Sequence, residues 1–179
     1  MFDDQPGRVR YAHDGDTWIL RFTGAIRYTM AHAVDSFLDD LFARHHPARV
    51  CVDLNETLSI DSTGIGLLAK IADGLERAGA ERPILFTSNP EILDTLRNVC
   101  LDEVCTLVPG APEAVAGNEI PATTPDERAL AQTIVSVHCL LCDLCAENRA
   151  KFQGVVDAFA HDLYVLATLG PEPSNQGAT

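Results

Sequence analysis

Apolar and polar residues in the first part of the chain follow patterns that predict two strands and then a helix. The alternation over 17–23 is typical of a strand with one buried face, and 8–13 is a second short strand. The turn Asp14-Gly15-Asp16 between them is a hairpin signal. Apolar residues then recur at helical spacing over 30–44, and Pro47 closes that segment.

From residue 50 onward the pattern predicts strands and helices in alternation. The apolar run 50–54 indicates a central strand that is buried on both faces. A helix over 65–78 follows, and another opens at Ser88-Asn89-Pro90-Glu91, with proline in its first turn. The remaining predicted strands are 83–86 and 104–108. Because alternating elements place helices against a mixed sheet, we predict an α/β fold with about five strands.

The composition changes after residue 108. Residues 109–125 are rich in proline, glycine and threonine and are predicted to be a linker. Residues 126–168 keep their apolar side chains in one stripe, which predicts a single long amphipathic helix. That stripe must pack either on the domain or on a second copy of 126–168 in a homodimer, where Asn148 would fix the register. Residues 169–179 are predicted to be a disordered tail.

The charge balance makes several classes of partner unsuitable. The formal net charge is −13, from 26 acidic and 13 basic side chains. Because no basic run is present, nucleic acid is not expected as a partner, and a protein with a basic surface fits better.

No stretch approaches the ~20 apolar residues of a membrane span. The acidic N-terminus does not have the pattern of a secretory signal.

The cysteines lie in apolar strands and helices, which indicates a reduced, cytoplasmic protein and not a disulfide framework. The six cysteines are Cys51, Cys100, Cys105, Cys139, Cys142 and Cys145. The last three have part of an iron–sulfur spacing. In a helix they would fan over about 120°, and a fourth local cysteine is missing. We therefore expect no cofactor and interpret them as packing residues, with a metal or redox sensor as an alternative.

The segment Asp61-Ser62-Thr63-Gly64 lies where a strand leads into the second helix. A hydroxyl there meets unsatisfied backbone N–H groups and the positive end of the helix dipole. A phosphate of about −1.5 to −2 charges is tolerated at such a position and changes the sign of the surface. Gly64 and Gly66 keep the helix start smooth, so that another chain can approach. Taken alone, the same residues are equally consistent with ordinary N-capping.

In its strand–loop–helix frame, the stretch 60–68 resembles the STAS family, and within it the anti-sigma factor antagonists of bacterial partner-switching systems. The resemblance covers about 8–108, which defines the predicted domain. It implies that Ser62 is the phosphoacceptor, with Thr63 as a secondary candidate. It also implies that the unphosphorylated protein binds a serine kinase that is an anti-sigma factor, and that a phosphatase resets the switch. The partner-binding residues by position are Asp61, Ser62, Thr63, Gly64 and Gly66.

The sequence gives no indication of an enzyme. None of the six histidines, among them His138, forms a recognisable triad pattern with Ser62, and no glycine-rich phosphate loop is present. Asp53 and Asp61 are better interpreted as a strand end and a helix cap than as a catalytic pair. The alternative to a phosphorylation switch is a STAS scaffold that oligomerises through its C-terminal helix.

Overall fold

The computed structural model describes residues 5–112 and 117–169 of the chain. Its strands are β1 (Arg8–Asp14), β2 (Thr17–Ile26), β3 (Arg49–Ile60), β4 (Ile84–Phe86), β5 (Thr106–Val108) and β6 (Asn118–Glu119). They form one six-stranded sheet in the order β5-β4-β3-β2-β1-β6. Strands β2 to β5 are parallel, whereas β1 is antiparallel to both of its neighbours. This mixed sheet with its helices confirms the predicted α/β fold class.

The helices complete one hydrophobic core with the sheet. They are α1 (Ala31–Arg44), α2 (Ser62–Arg77), α3 (Pro90–Arg97), α4 (Glu127–Leu144) and α5 (Ala146–Leu169). The alternation in β2 places Leu20 and Phe22 inside this core. Helix α4 lies against both α1 and α2, and its Val137 and Leu141 belong to the same core cluster. The C-terminal region is therefore built onto the domain.

Strand β3 is longer than the sequence pattern predicts. Residues 50–54 are all buried, which confirms a central strand, but the strand then continues through polar residues to Ile60. Two register irregularities against β2 accommodate this second half. The buried hydroxyl of Thr57 donates a hydrogen bond to the carbonyl of Phe22 at 3.1 Å. Pairing with β2 thus holds as a strand a stretch whose polarity is typical of a loop.

The C-terminal region is a helical hairpin, and the prediction of a single long helix is wrong. Cys145 separates α4 from α5 and has an extended backbone, with φ −159° and ψ 163°. The two helices then pack against each other. The apolar stripe marks the buried side of each helix. Its angular position is the same in α4 and α5, so the stripe does not reveal that the chain reverses direction between them. Asn148 is fully buried and donates to the carbonyl of Val99 at 2.8 Å, within its own chain.

A disulfide joins Cys100 to Cys145, with 6.6 Å between the two Cα atoms. The expectation that all cysteines are reduced is therefore wrong for this pair, which folding brings together across 45 residues. Because Cys145 is in the disulfide, it does not supply a free thiol next to Cys139 and Cys142. Of these two, Cys142 is buried and Cys139 is partly exposed.

The segment predicted as a linker contributes to the sheet. Strand β6 pairs with β1, and the following Ile120 is buried. Residues 113–116 of that segment lie outside the described residues, as do 170–179 of the predicted tail. Among the helices that the structure describes, none is both long and apolar enough to cross a membrane.

Candidate functional site

Asp61 fixes the start of helix α2. One carboxylate oxygen accepts the Gly64 N–H at 2.8 Å, and the other accepts the Tyr28 N–H at 2.7 Å. The Asp61 N–H itself donates to the carbonyl of Ile26 at 3.1 Å. The helix is thus capped from Asp61 and tied to the end of β2, as the cap interpretation predicts.

Ser62 is the first residue of α2 and is partly buried. Its Oγ lies 3.0 Å from Nε2 of His138, a side chain of α4 that is only 1% exposed. The other ring nitrogen, Nδ1, lies 2.8 Å from the carbonyl of Ile134. Because that carbonyl can only accept, Nδ1 carries the proton, and Nε2 accepts the hydrogen bond from the serine hydroxyl. No local pattern predicts this pairing, since the two residues are 76 positions apart.

The imidazole of His138 is held in its neutral form. Burial lowers its pKa below the usual 6.5, and the hydrogen bond with Ile134 and the charge of Asp61 offset this only in part. A neutral imidazole next to a serine hydroxyl is the arrangement that activates serine nucleophiles. Here, however, the ring is oriented by a backbone carbonyl and belongs to a helix that covers the serine. The geometry therefore holds the hydroxyl of Ser62 in place.

The other predicted partner-binding residues are buried. Thr63 is 5% exposed, and a Cβ atom on Gly64 would come within 2.8 Å of Ile26. A Cβ atom on Gly66 would lie 2.7 Å from the Cβ of Val137 in α4. The sequence predicted that the space beside the two glycines is open to another chain. That space is filled by the protein's own β2, β3 and α4. Asp61 and Ser62 are the partly exposed members of the set.

Asp53 and Asp61 serve separate structural networks. Asp53 is buried within β3, where it accepts from Nε of Arg21 at 3.0 Å and from the side chain of Asn55 at 2.8 Å. The sequence-based interpretation of Asp53 as a strand end is wrong, because β3 continues beyond it. Both carboxylates are fully engaged in holding backbone and side-chain donors.

The stability of the protein is expected to fall as the pH drops below 6.5, because His138 is neutral in the folded state. The pKa of His138 is lower in the folded chain than its ordinary 6.5, so the unfolded chain takes up the proton first. The stabilising contribution is complete above 6.5 and is lost as the pH falls from there through the folded-state pKa. Urea unfolding at about pH 7.5 and about pH 5 measures this loss.

A His138→Gln variant is the control for this expectation, since glutamine keeps hydrogen-bonding capacity without titrating. The variant should lose less stability than the parent over the same pH interval. An equal loss in both proteins would show that other groups are responsible for the pH dependence.

Comparison with known proteins identifies the family of the domain that contains Ser62. The family model described as "STAS domain" matches residues 8–114. A structure of the anti-sigma factor antagonist SpoIIAA in its unphosphorylated form is 15% identical, covers 59% of this chain and 90% of its own, and has a TM-score of 0.50. The phosphorylated form of the Bacillus cell fate determinant SpoIIAA is also 15% identical, covering 59% and 93%, with a TM-score of 0.51. An NMR structure of the protein TM1081 is 21% identical, covering 55% and 78%, with a TM-score of 0.50. No curated protein sequence matches the chain.

Proposed function

Because the chain belongs to the STAS domain family, we propose that it is an anti-sigma factor antagonist that works by partner switching. In its unphosphorylated form it binds a serine kinase that is an anti-sigma factor, and phosphorylation of Ser62 by that kinase releases it. A phosphatase returns it to the binding form. It acts in the cytoplasm as a binding module and a kinase substrate, and it is not an enzyme.

The observation that carries this proposal is that Ser62 opens α2 without capping it. The capping side chain is Asp61, whose two oxygens already hold the N–H groups of Gly64 and Tyr28. The fold therefore does not need the serine hydroxyl for the helix start. A phosphate at this position would meet the positive end of the helix dipole, which favours negative charge.

Similarity of fold supports the same proposal. The SpoIIAA structures represent an anti-sigma factor antagonist in unphosphorylated and phosphorylated forms, and both share this fold. A fold that exists in both forms accommodates a phosphate without unfolding. The change then acts on the surface, where a doubly charged, strongly hydrated phosphate removes a contact that has to be desolvated in the complex.

Phosphosite mapping tests the proposal directly. The full chain is incubated with a serine kinase of the anti-sigma factor type from the same genome, with magnesium and ATP, both with and without a dithiol reductant. We expect one phosphate on Ser62, none on a Ser62→Ala variant, and unchanged modification of Thr63→Ala. Binding of the kinase by Ser62→Asp should weaken by about tenfold or more, which corresponds to about 1.4 kcal/mol.

Ser88→Asp is the matched control, because Ser88 is an exposed serine just before the next helix and receives the same added charge. It should bind the kinase as the parent protein does. Modification confined to other residues, or full binding by Ser62→Asp under reducing conditions, would contradict the proposed switch.

A further inference from the structure

We propose that the hairpin of α4 and α5 is an intramolecular lid on Ser62, and that the disulfide between Cys100 and Cys145 latches it shut. Reduction of the disulfide then makes Ser62 accessible to a kinase. The inference rests on the proposed function, since it concerns regulation of the same serine. It goes beyond that function because it makes the switch depend on the redox state of the chain.

Helix α4 contacts the start of α2 at two points. His138 lies within hydrogen-bonding distance of the Ser62 hydroxyl, and Val137 lies against Gly66 one turn further along α2. A kinase must bring a γ-phosphoryl group in line with the attacking hydroxyl. The imidazole occupies the direction in which that hydroxyl points, so transfer requires α4 to move away.

A second contact region attaches α4 to both neighbouring helices. The hydroxyl of Thr133 donates to Asp35 of α1 at 3.3 Å and lies 3.2 Å from Nδ1 of His32. Asp35 is in turn paired with Lys70 of α2 at 2.5 Å. The closed lid is therefore held by packing and by polar contacts along its length.

The latch lies at the junction of the two lid helices. Cys145 is the residue between α4 and α5, and Cys100 precedes a short turn of the domain and has a φ of 59°. Next to the disulfide, Asn148 donates to the carbonyl of Val99, and Nζ of Lys151 donates to the carbonyl of Asn98 at 2.9 Å. The cross-link thus fastens the junction of the hairpin to the domain.

The same region is poised to open once the covalent bond is broken. The side-chain oxygen of Asn148 is buried without a hydrogen-bond partner, which costs the closed form free energy. Most residues of α5 are exposed or only partly buried. The disulfide closes a loop between residues that are 45 positions apart, and it restricts the conformations that the chain can adopt when the hairpin is open. Loss of the disulfide therefore favours opening.

Cys100 and Cys145 are both partly exposed, so a small dithiol can reach their disulfide. One thiolate of the dithiol attacks a latch sulfur, the Cys100–Cys145 bond breaks, and a mixed disulfide forms. The second thiol of the reagent then displaces the remaining cysteine. Two protons pass from the dithiol to the two cysteines, and the reagent leaves as a cyclic disulfide. By contrast, burial raises the pKa of the Cys105 thiol to about 12 and makes that cysteine unreactive.

Amide hydrogen exchange of the full chain tests the lid without a kinase. Exchange is followed by mass spectrometry in the oxidised protein, after treatment with dithiothreitol, and in a Cys100→Ser/Cys145→Ser variant. In both opened forms we expect amides of α4 to exchange at least tenfold faster, while amides of β2 and β3 stay protected. Cys139→Ser is the matched control, because it removes a free, partly exposed cysteine and should leave exchange unchanged.

A second pair of variants opens the lid without touching the disulfide. Val137→Asp places a charge against Gly66, whereas Ser136→Asp adds the same charge at an exposed position of α4. We expect the first to speed phosphorylation of Ser62 in the oxidised protein by tenfold or more, and the second to have no effect.

The outcomes distinguish failure of the lid from failure of the proposed function. Equal exchange of α4 in oxidised and reduced protein would overturn the latch, and so would equal rates of Ser62 phosphorylation in the two forms. If α4 opens on reduction but no kinase of the expected type modifies Ser62 in any form, the proposed function fails. Faster exchange together with faster phosphorylation of Ser62 supports both.

Discussion

Replacing Lys70 with methionine is expected to lower the free energy of unfolding by about 3 kcal/mol, because it leaves a nearly buried carboxylate without its partner. Nζ of Lys70 lies 2.5 Å from Asp35 and 2.6 Å from Asp39. The Lys70 and Asp35 side chains are only 15% and 13% exposed, so water replaces little of the lost interaction. The loss also affects α4, because Thr133 donates to the same carboxylate.

Urea unfolding of the parent and of Lys70→Met measures this effect, and Arg44→Met provides the comparison. Arg44 forms an ion pair of similar length with Asp40, at 2.6 Å, but both side chains are largely exposed. Its removal should cost less than about 1 kcal/mol. Combining Lys70→Met with Asp35→Leu should recover part of the loss, since no unpaired charge is then left. Equal losses in the two single variants would show that burial does not control the strength of the Lys70 pair.

The second large effect is expected at Gly66, where alanine should destabilise the protein by about 1–3 kcal/mol. The added Cβ would lie 2.7 Å from the Cβ of Val137 and 2.9 Å from its carbonyl oxygen. Because one of these neighbours is backbone, a side-chain rotation cannot relieve the overlap. Helix α4 must shift outward as a unit, which also weakens the contact between His138 and Ser62.

Gly154→Ala is the matched control for Gly66→Ala. Gly154 lies inside α5, and a Cβ there meets nothing within 4 Å. Alanine should therefore stabilise the protein by up to about 1 kcal/mol through helix propensity alone. Thermal unfolding of both variants gives the comparison. A stabilising effect at Gly66 would mean that Val137 of α4 lies farther from Gly66 than the 2.7 Å contact of the added Cβ requires.

The sequence predicts the strands and helices of the first 108 residues well because their local patterns coincide with their tertiary surroundings. Trp18, Leu20 and Phe22 alternate with polar residues and are all buried in the structure. The start of α2 is equally predictable, since aspartate before a glycine-containing apolar helix is a local capping signal. Where the pattern is misleading, as in the polar second half of β3, pairing with β2 decides the conformation.

The contacts made by the C-terminal region could not be predicted, because they depend on where the chain reverses. The apolar stripe of α4 and α5 has the same phase as one continuous helix, and Cys145 carries no local breaking signal such as proline or glycine. With the chain reversed at Cys145, His138 of α4 lies next to Ser62 and Cys145 itself lies next to Cys100. Without that reversal, the spacing of the last three cysteines suggests a local cluster, although Cys145 pairs with a residue 45 positions away.

The two outermost strands of the sheet have a consequence for how this protein can meet other chains. Strand β5 is three residues long and β6 is two, so each of these outermost strands presents only a short row of free N–H and C=O groups. Such rows are the templates on which foreign strands align and amyloid-like stacking begins. Outermost strands this short give a foreign strand little to align on, so β5 and β6 are poor sites for growth of the sheet by strand addition.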